Sequence, residues 1–137
     1  MDKSINVCII DDDEVFQYTI LHTLEAHKSV GNIMPFTDGA EAMTFFNENL
    51  DNLDKLPDVI FLDVNMPVMD GYRFMDEYTK IIPEVVKKIT IYILSSSVDL
   101  VDFEKTKNIK EVSDYIIKPI REPQLTKILA ELVMNKN

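Results

Sequence analysis

Apolar and polar residues run along this chain in blocks. Residues 6–10 form a short apolar stretch rich in branched side chains, and it stops at Asp11, Asp12 and Asp13, which predicts a buried strand. Over residues 14–26 the apolar Phe16, Ile20 and Leu24 recur at every fourth position, with Leu21 beside them, the stripe of an amphipathic helix. Gly31 ends the connection that follows. Residues 33–36 predict a second strand, and Pro35, which has no ladder donor, puts it at a sheet edge or a bulge. Asp38 with Glu41 predicts an N-cap and its box partner, opening a helix whose apolar face is Ala42, Met43, Phe45 and Phe46.

A polar stretch over residues 47–58, broken by Pro57, leads into the apolar run 59–62, which ends in Asp63. The turn residues Met66, Pro67, Asp70 and Gly71 precede a helix from 72 to about 82, stopped by Pro83. Residues 89–94 form a further apolar run, and it ends in Ser95, Ser96 and Ser97. A weak helix over 99–107, a short strand over 115–117 and a clear helix over 122–134 follow, the last with Pro123 in its first turn. Strand patterns alternating with helical ones predict an α/β chain, a parallel sheet with helices on both faces. Sheets of this kind bind ligands at the carboxyl ends of their strands, where Asp11, Asp12, Asp13, Asp63, Ser95 and Lys118 all fall.

Composition narrows the class. With 137 residues, 46% of them hydrophobic, the chain is expected to be a single domain over 1–137, its core about 5–134, without an output domain. A formal charge of −10 argues against a surface for nucleic acid or anionic lipid. The one cysteine, Cys8, lies in an apolar run and reads as a small buried hydrophobe, which favours a reducing, cytoplasmic setting. The N-terminal stretch meets acidic residues before a signal-peptide core could form, and no apolar run approaches the roughly 18 residues of a membrane span.

Carboxylates crowded at one end of a sheet repel one another, and a hard divalent cation relieves them. Magnesium suits oxygen ligands supplied by one or two carboxylates, waters and a phosphoryl group. A lysine and a serine hydroxyl beside it would stabilise a tetrahedral dianion, and an aspartate could then act as nucleophile toward phosphorus. Each piece also has an ordinary reading. The aspartate run could be a turn or an N-cap, Asp63 a turn former before Asn65 and Pro67, Ser95 to Ser97 a loop, and Lys118 a surface charge. Their joint occurrence at four strand ends is what favours a site. His22 and His27 have no companion ligands at zinc spacing, and no glycine-rich phosphate loop is present.

Four stretches resemble the response-regulator receiver domains of two-component signalling, single-domain chemotaxis regulators among them, and the resemblance runs over about 5–134. They are Cys8-Ile9-Ile10-Asp11-Asp12-Asp13; Pro57-Asp58-Val59-Ile60-Phe61-Leu62-Asp63-Val64-Asn65-Met66-Pro67 with Met69-Asp70-Gly71; Tyr92-Ile93-Leu94-Ser95-Ser96; and Tyr115-Ile116-Ile117-Lys118-Pro119. The resemblance implies a doubly wound, flavodoxin-like sheet of five parallel strands in the order 2-1-3-4-5. It implies that Asp63 accepts a phosphoryl group from a sensor histidine kinase or a histidine-phosphotransfer protein, and that the signal passes to a downstream protein target. Magnesium would be held by Asp11, Asp12, Asp63 and the backbone carbonyl of Asn65, with Asp12 the direct ligand of the acidic pair and Asp11 acting through water. Ser95 and Tyr115 would form the conformational switch, Lys118 the cationic partner, and Asn65 and Ser97 would tune hydrolysis. Pro119 is expected to follow a cis peptide. Such a domain is a phosphoacceptor rather than a turnover enzyme.

Two departures from that pattern stand out. Ser96 replaces the usual Ala or Gly, and residues 108–114 lack the usual glycine-containing run, which bears on the Tyr115 switch. Two rival readings stay open. A small haloacid-dehalogenase-type phosphatase would use Asp11 and Asp13, and a non-phosphorylated module of the same fold would bind by shape alone.

Overall fold

The computed structural model describes residues 4–64, 66, 69–96 and 100–135. Strand β1 (Ile5–Ile10) leads to helix α1 (Glu14–Glu25), then β2 (Val30–Phe36), α2 (Gly39–Glu48), β3 (Val59–Asp63) and α3 (Gly71–Ile81). A 3-10 turn (Ile82–Glu84), β4 (Thr90–Ser95), α4 (Leu100–Lys107), β5 (Val112–Ile117) and α5 (Glu122–Asn135) complete the order. The strands form one parallel sheet in the order β2-β1-β3-β4-β5, the doubly wound arrangement expected.

Side chains of successive strand residues point to opposite faces, so each apolar run feeds two cores. Cys8, Ile10, Ile60, Leu62, Ile91 and Ile93 meet Met43 and Phe46 of α2 and Phe74, Met75 and Tyr78 of α3 on one face. Ile5, Val7, Ile9, Phe61, Tyr92 and Leu94 meet Ile20 and Leu24 of α1 and Leu125, Ile128 and Leu129 of α5 on the other. Burial on both faces explains why β1, β3 and β4 read as unbroken apolar runs. Cys8 is a fully buried free thiol, and burial pushes its pKa up. No helix of the described residues is long and apolar enough to cross a membrane.

Several boundaries differ from expectation for local reasons. Gly31 lies inside β2 rather than ending a connection, and a Cβ there would meet the Asn6 side chain, at 2.9 Å from its Oδ1. Pro83 does not stop the chain abruptly, since it sits within the 3-10 turn that continues from α3. β5 begins at Val112, three residues ahead of the predicted start at Tyr115; Ser113 and Asp114 are exposed there and leave no apolar period to read. β5 and β2 are the two edges of the sheet. On β2, Pro35 stands opposite Ile9; on β5, the Tyr115 N–H donates to Asp114 Oδ1 at 2.8 Å.

Asp58 fastens the opposite end of the sheet from the carboxylates. Its Oδ2 accepts from Asn6 N at 2.8 Å, and its Oδ1 pairs with Lys87 at 3.1 Å, while the same ammonium donates to Leu56 O at 2.9 Å.

Candidate functional site

The three aspartates after β1 divide into three environments. The Asp11 N–H donates to Phe36 O at 3.0 Å, extending the contact between β1 and β2 by one residue and holding Asp11 out of solvent. Asp12 is exposed. Asp13 caps α1, its Oδ1 accepting from Val15 N at 3.0 Å and Phe16 N at 3.1 Å, while its own N–H donates to Asp11 Oδ1 at 2.9 Å. Gln17, one turn into α1, reinforces this corner. Its Nε2 reaches Phe36 O at 3.0 Å, Asp11 O at 3.1 Å and Ile9 O at 3.3 Å.

Asp63 is the last residue of β3 and is 4% exposed. The chain beyond it is pinned by Val64 N donating to Leu94 O and by Gly71 N donating to Val64 O. Gly71 is required by proximity, because a Cβ there would fall 2.5 Å from Asp63 O and 2.9 Å from Val64 Cα. Ser95, fully buried, ends β4, and its carbonyl accepts from Lys118 N at 2.8 Å, tying the ends of β4 and β5 together. The Lys118–Pro119 peptide is cis.

Oxygens of Asp11, Asp12 and Asp63 all lie within 4.8 Å of one another. The Lys118 ammonium stands 2.6 Å from Asp11 Oδ2 and 3.5 Å from Asp63 Oδ1. Burial pushes the Asp11 carboxyl above its ordinary pKa, although Lys118 and the Asp13 amide pull against that shift. Asp11 and Asp63 thus share this ammonium, and Asp12 adds a third carboxylate to the cluster. The remaining negative charge and the all-oxygen donor set fit a hard divalent cation better than a softer metal.

Tyr115 is half-buried on β5, its ring edge-on to Phe103 of α4 with centroids 5.7 Å apart. The Tyr72 hydroxyl of α3 also reaches α4, lying 3.4 Å from Thr106 Oγ1, and Lys105 sits over the Tyr72 ring. Asn65 and Ser97 lie outside the described residues. The dehalogenase reading loses Asp13, which is engaged as a helix cap and stands apart from the cluster. The sequence pattern did not single out Phe16 as part of the site. Its ring centroid is 4.6 Å from Lys118 Nζ, yet along the chain it is only one member of the apolar stripe of α1.

Residues 7–130 match the model of a family described as the response regulator receiver domain. The chain belongs to that family. Among solved structures, this receiver domain is similar to a two-component response regulator from Cytophaga hutchinsonii, at 28% identity and a TM-score of 0.84, over 97% of this chain and 99% of that one. It is 26% identical over 129 residues to the transcriptional regulatory protein YpdB of Escherichia coli K12, covering 93% of this chain and 47% of the relative. It is 31% identical over 125 residues to the sensor histidine kinase CheAY of Helicobacter pylori, covering 90% of this chain and 14% of the relative. The receiver domain therefore spans about half or less of the length of these two curated relatives. As a response regulator receiver it belongs to two-component signalling, where such domains are phosphoacceptors rather than dedicated enzymes.

Proposed function

We propose that this receiver domain accepts a phosphoryl group on Asp63 in a magnesium-dependent reaction and passes the signal to another protein. The observation that carries this reading is the placement of Lys118, whose ammonium meets Asp11 Oδ2 and Asp63 Oδ1 together. An oxygen of Asp63 attacks the phosphorus of a phosphohistidine on a sensor kinase or phosphotransfer protein. The P–N bond breaks, its electron pair returns to the imidazole, and an acyl phosphate forms. Magnesium, when bound, would be held by Asp11, Asp12, Asp63 and the Asn65 carbonyl and would supply charge neutralisation for the phosphoryl oxygens.

The chain's own groups do the rest. Lys118 is already beside the acceptor and stabilises the added charge of roughly −1.5 to −2. Ser95 stands at the end of the neighbouring strand, from which its hydroxyl can donate to a phosphoryl oxygen. Its movement vacates space beside β5, Tyr115 turns toward that space, and α4 follows the ring through Phe103. Asn65 and Ser97 tune hydrolysis of the acyl phosphate. The setting is the cytoplasm, where sensor kinases present their phosphohistidine.

Intact-protein mass spectrometry after incubation with acetyl phosphate tests the reading. The expected result is a gain of one phosphoryl group that needs magnesium, is absent in Asp63→Asn and is released by alkaline hydroxylamine. Equal labelling of Asp63→Asn would remove Asp63 as the acceptor. No labelling of a folded, magnesium-loaded wild type would favour a module that binds by shape alone.

A further inference from the structure

The Lys118 ammonium has a third neighbour that is neither an acid nor a ligand. Phe16, in the first turn of α1, presents its ring with the centroid 4.6 Å from Lys118 Nζ. The face of a phenyl ring is electron-rich and attracts a cation, and the attraction grows when water is excluded. Here water is largely excluded, since the Lys118 side chain is only 12% exposed and Asp11 is not exposed at all. The ring is itself on a rigid mount. The Asp13 carboxylate caps the Phe16 amide, and Gln17, the next residue, is tied to three carbonyls at the ends of β1 and β2. Phe16 also packs against the apolar cluster shared by α1 and α5.

We infer that Phe16 is a positioning residue for phosphoryl acceptance, its ring holding the Lys118 ammonium beside Asp63; the inference rests on the reading of Asp63 as acceptor. A lysine has a long flexible stem whose freedom must be lost before the ammonium can serve a transition state. Carboxylates alone would confine it, but each added one would also hold it back from the incoming phosphoryl group. An aromatic face confines the ammonium without competing for it as an ion does. The ammonium can then shift from Asp11 toward the phosphoryl oxygens while it stays against the ring.

The test compares initial rates of labelling by acetyl phosphate, at fixed magnesium, for the full chain, Phe16→Leu and Phe16→Trp, each repeated in a Lys118→Gln background. Phe16→Leu keeps apolar bulk but loses the π-face, and its rate is expected to fall roughly threefold to tenfold. Phe16→Trp restores the rate. In the Lys118→Gln background Leu and Trp should label alike, because the effect acts through the ammonium. A Leu variant as fast as wild type, or a Leu deficit that persists without Lys118, would overturn the inference. Proton NMR of the Lys118 ε-methylene, assigned by its loss in Lys118→Gln, gives a second readout that needs no labelling. Its protons should be shifted upfield by the ring in wild type and return to the ordinary position in Phe16→Leu; unshifted protons in wild type also overturn the inference. A wild type that takes no label while its ε-protons are shifted overturns the reading of Asp63 but upholds the Phe16 contact.

Discussion

Asp11 is a carboxylate kept where water cannot reach it, and its charge is tolerated rather than favoured. Its pKa in the fold lies above the ordinary 3.8, so the folded state holds this proton more tightly than the unfolded state does. The stability it contributes is therefore fully present below pH 3.8 and is lost as pH rises through the folded pKa. In metal-free buffer, thermal melts should show Asp11→Asn more stable than wild type at neutral pH, with the gain vanishing as pH falls below that ordinary value. Added magnesium should narrow or reverse the difference, because it stabilises the state that binds it and the amide is a poorer ligand. An Asn variant that melts below wild type in metal-free neutral buffer would show that pairing with Lys118 outweighs burial. At this scale the placement of the candidate residues was legible: Asp11, Asp12, Asp63, Ser95 and Lys118 each follow an apolar run, and strand ends are readable. Phe16 was not, because the residue that gives it meaning is on a different strand end far along the chain.

Among the elements, α3 is the one whose seating depends on a single hydrogen atom. Gly71 opens it directly against the backbone of Asp63 and Val64, and Asp70 caps it by accepting from Arg73 N at 2.8 Å. A methyl group at Gly71 meets main chain that cannot swing aside, so α3 or the Asp63 carbonyl must shift. Gly71→Ala is expected to lower stability by about 1–3 kcal/mol in denaturant titrations, the usual range for overpacking, and to slow labelling of Asp63 although no reacting group has changed. Unaltered stability and labelling together would show that the turn relaxes freely. The sequence marked Gly71 as a turn residue, which is correct about its place and silent about its reason. α4 shows the converse: its eight residues gave a faint pattern because ring contacts with Tyr72 and Tyr115, rather than a broad apolar stripe, hold it.

Across the whole molecule, the alternation of apolar runs with helical stripes was enough for a parallel sheet with two covered faces, since those faces are what the runs encode. Strand order was not encoded in the pattern, and only the resemblance to receivers supplied it. Pro35 did mark β2 as marginal, and β2 is an edge. The start of β5, the other edge, was hidden because Ser113 and Asp114 face solvent. Those two edges have a consequence outside signalling. An open edge is a template on which a second chain can lay a strand and begin a fibril. This molecule is blunted on both sides: Pro35 has no amide hydrogen to offer, and the Asp114 carboxylate occupies the Tyr115 amide while adding a charge that repels an identical neighbour. Replacing Pro35 and Asp114 together by valine should raise thioflavin-reactive assembly during prolonged gentle agitation more than either change alone, at unchanged secondary structure of the starting monomer. If the double variant stays as dispersed as wild type, solubility comes from the overall charge of −10 instead. The same two residues would then be free to vary without the protein gelling in a crowded cell.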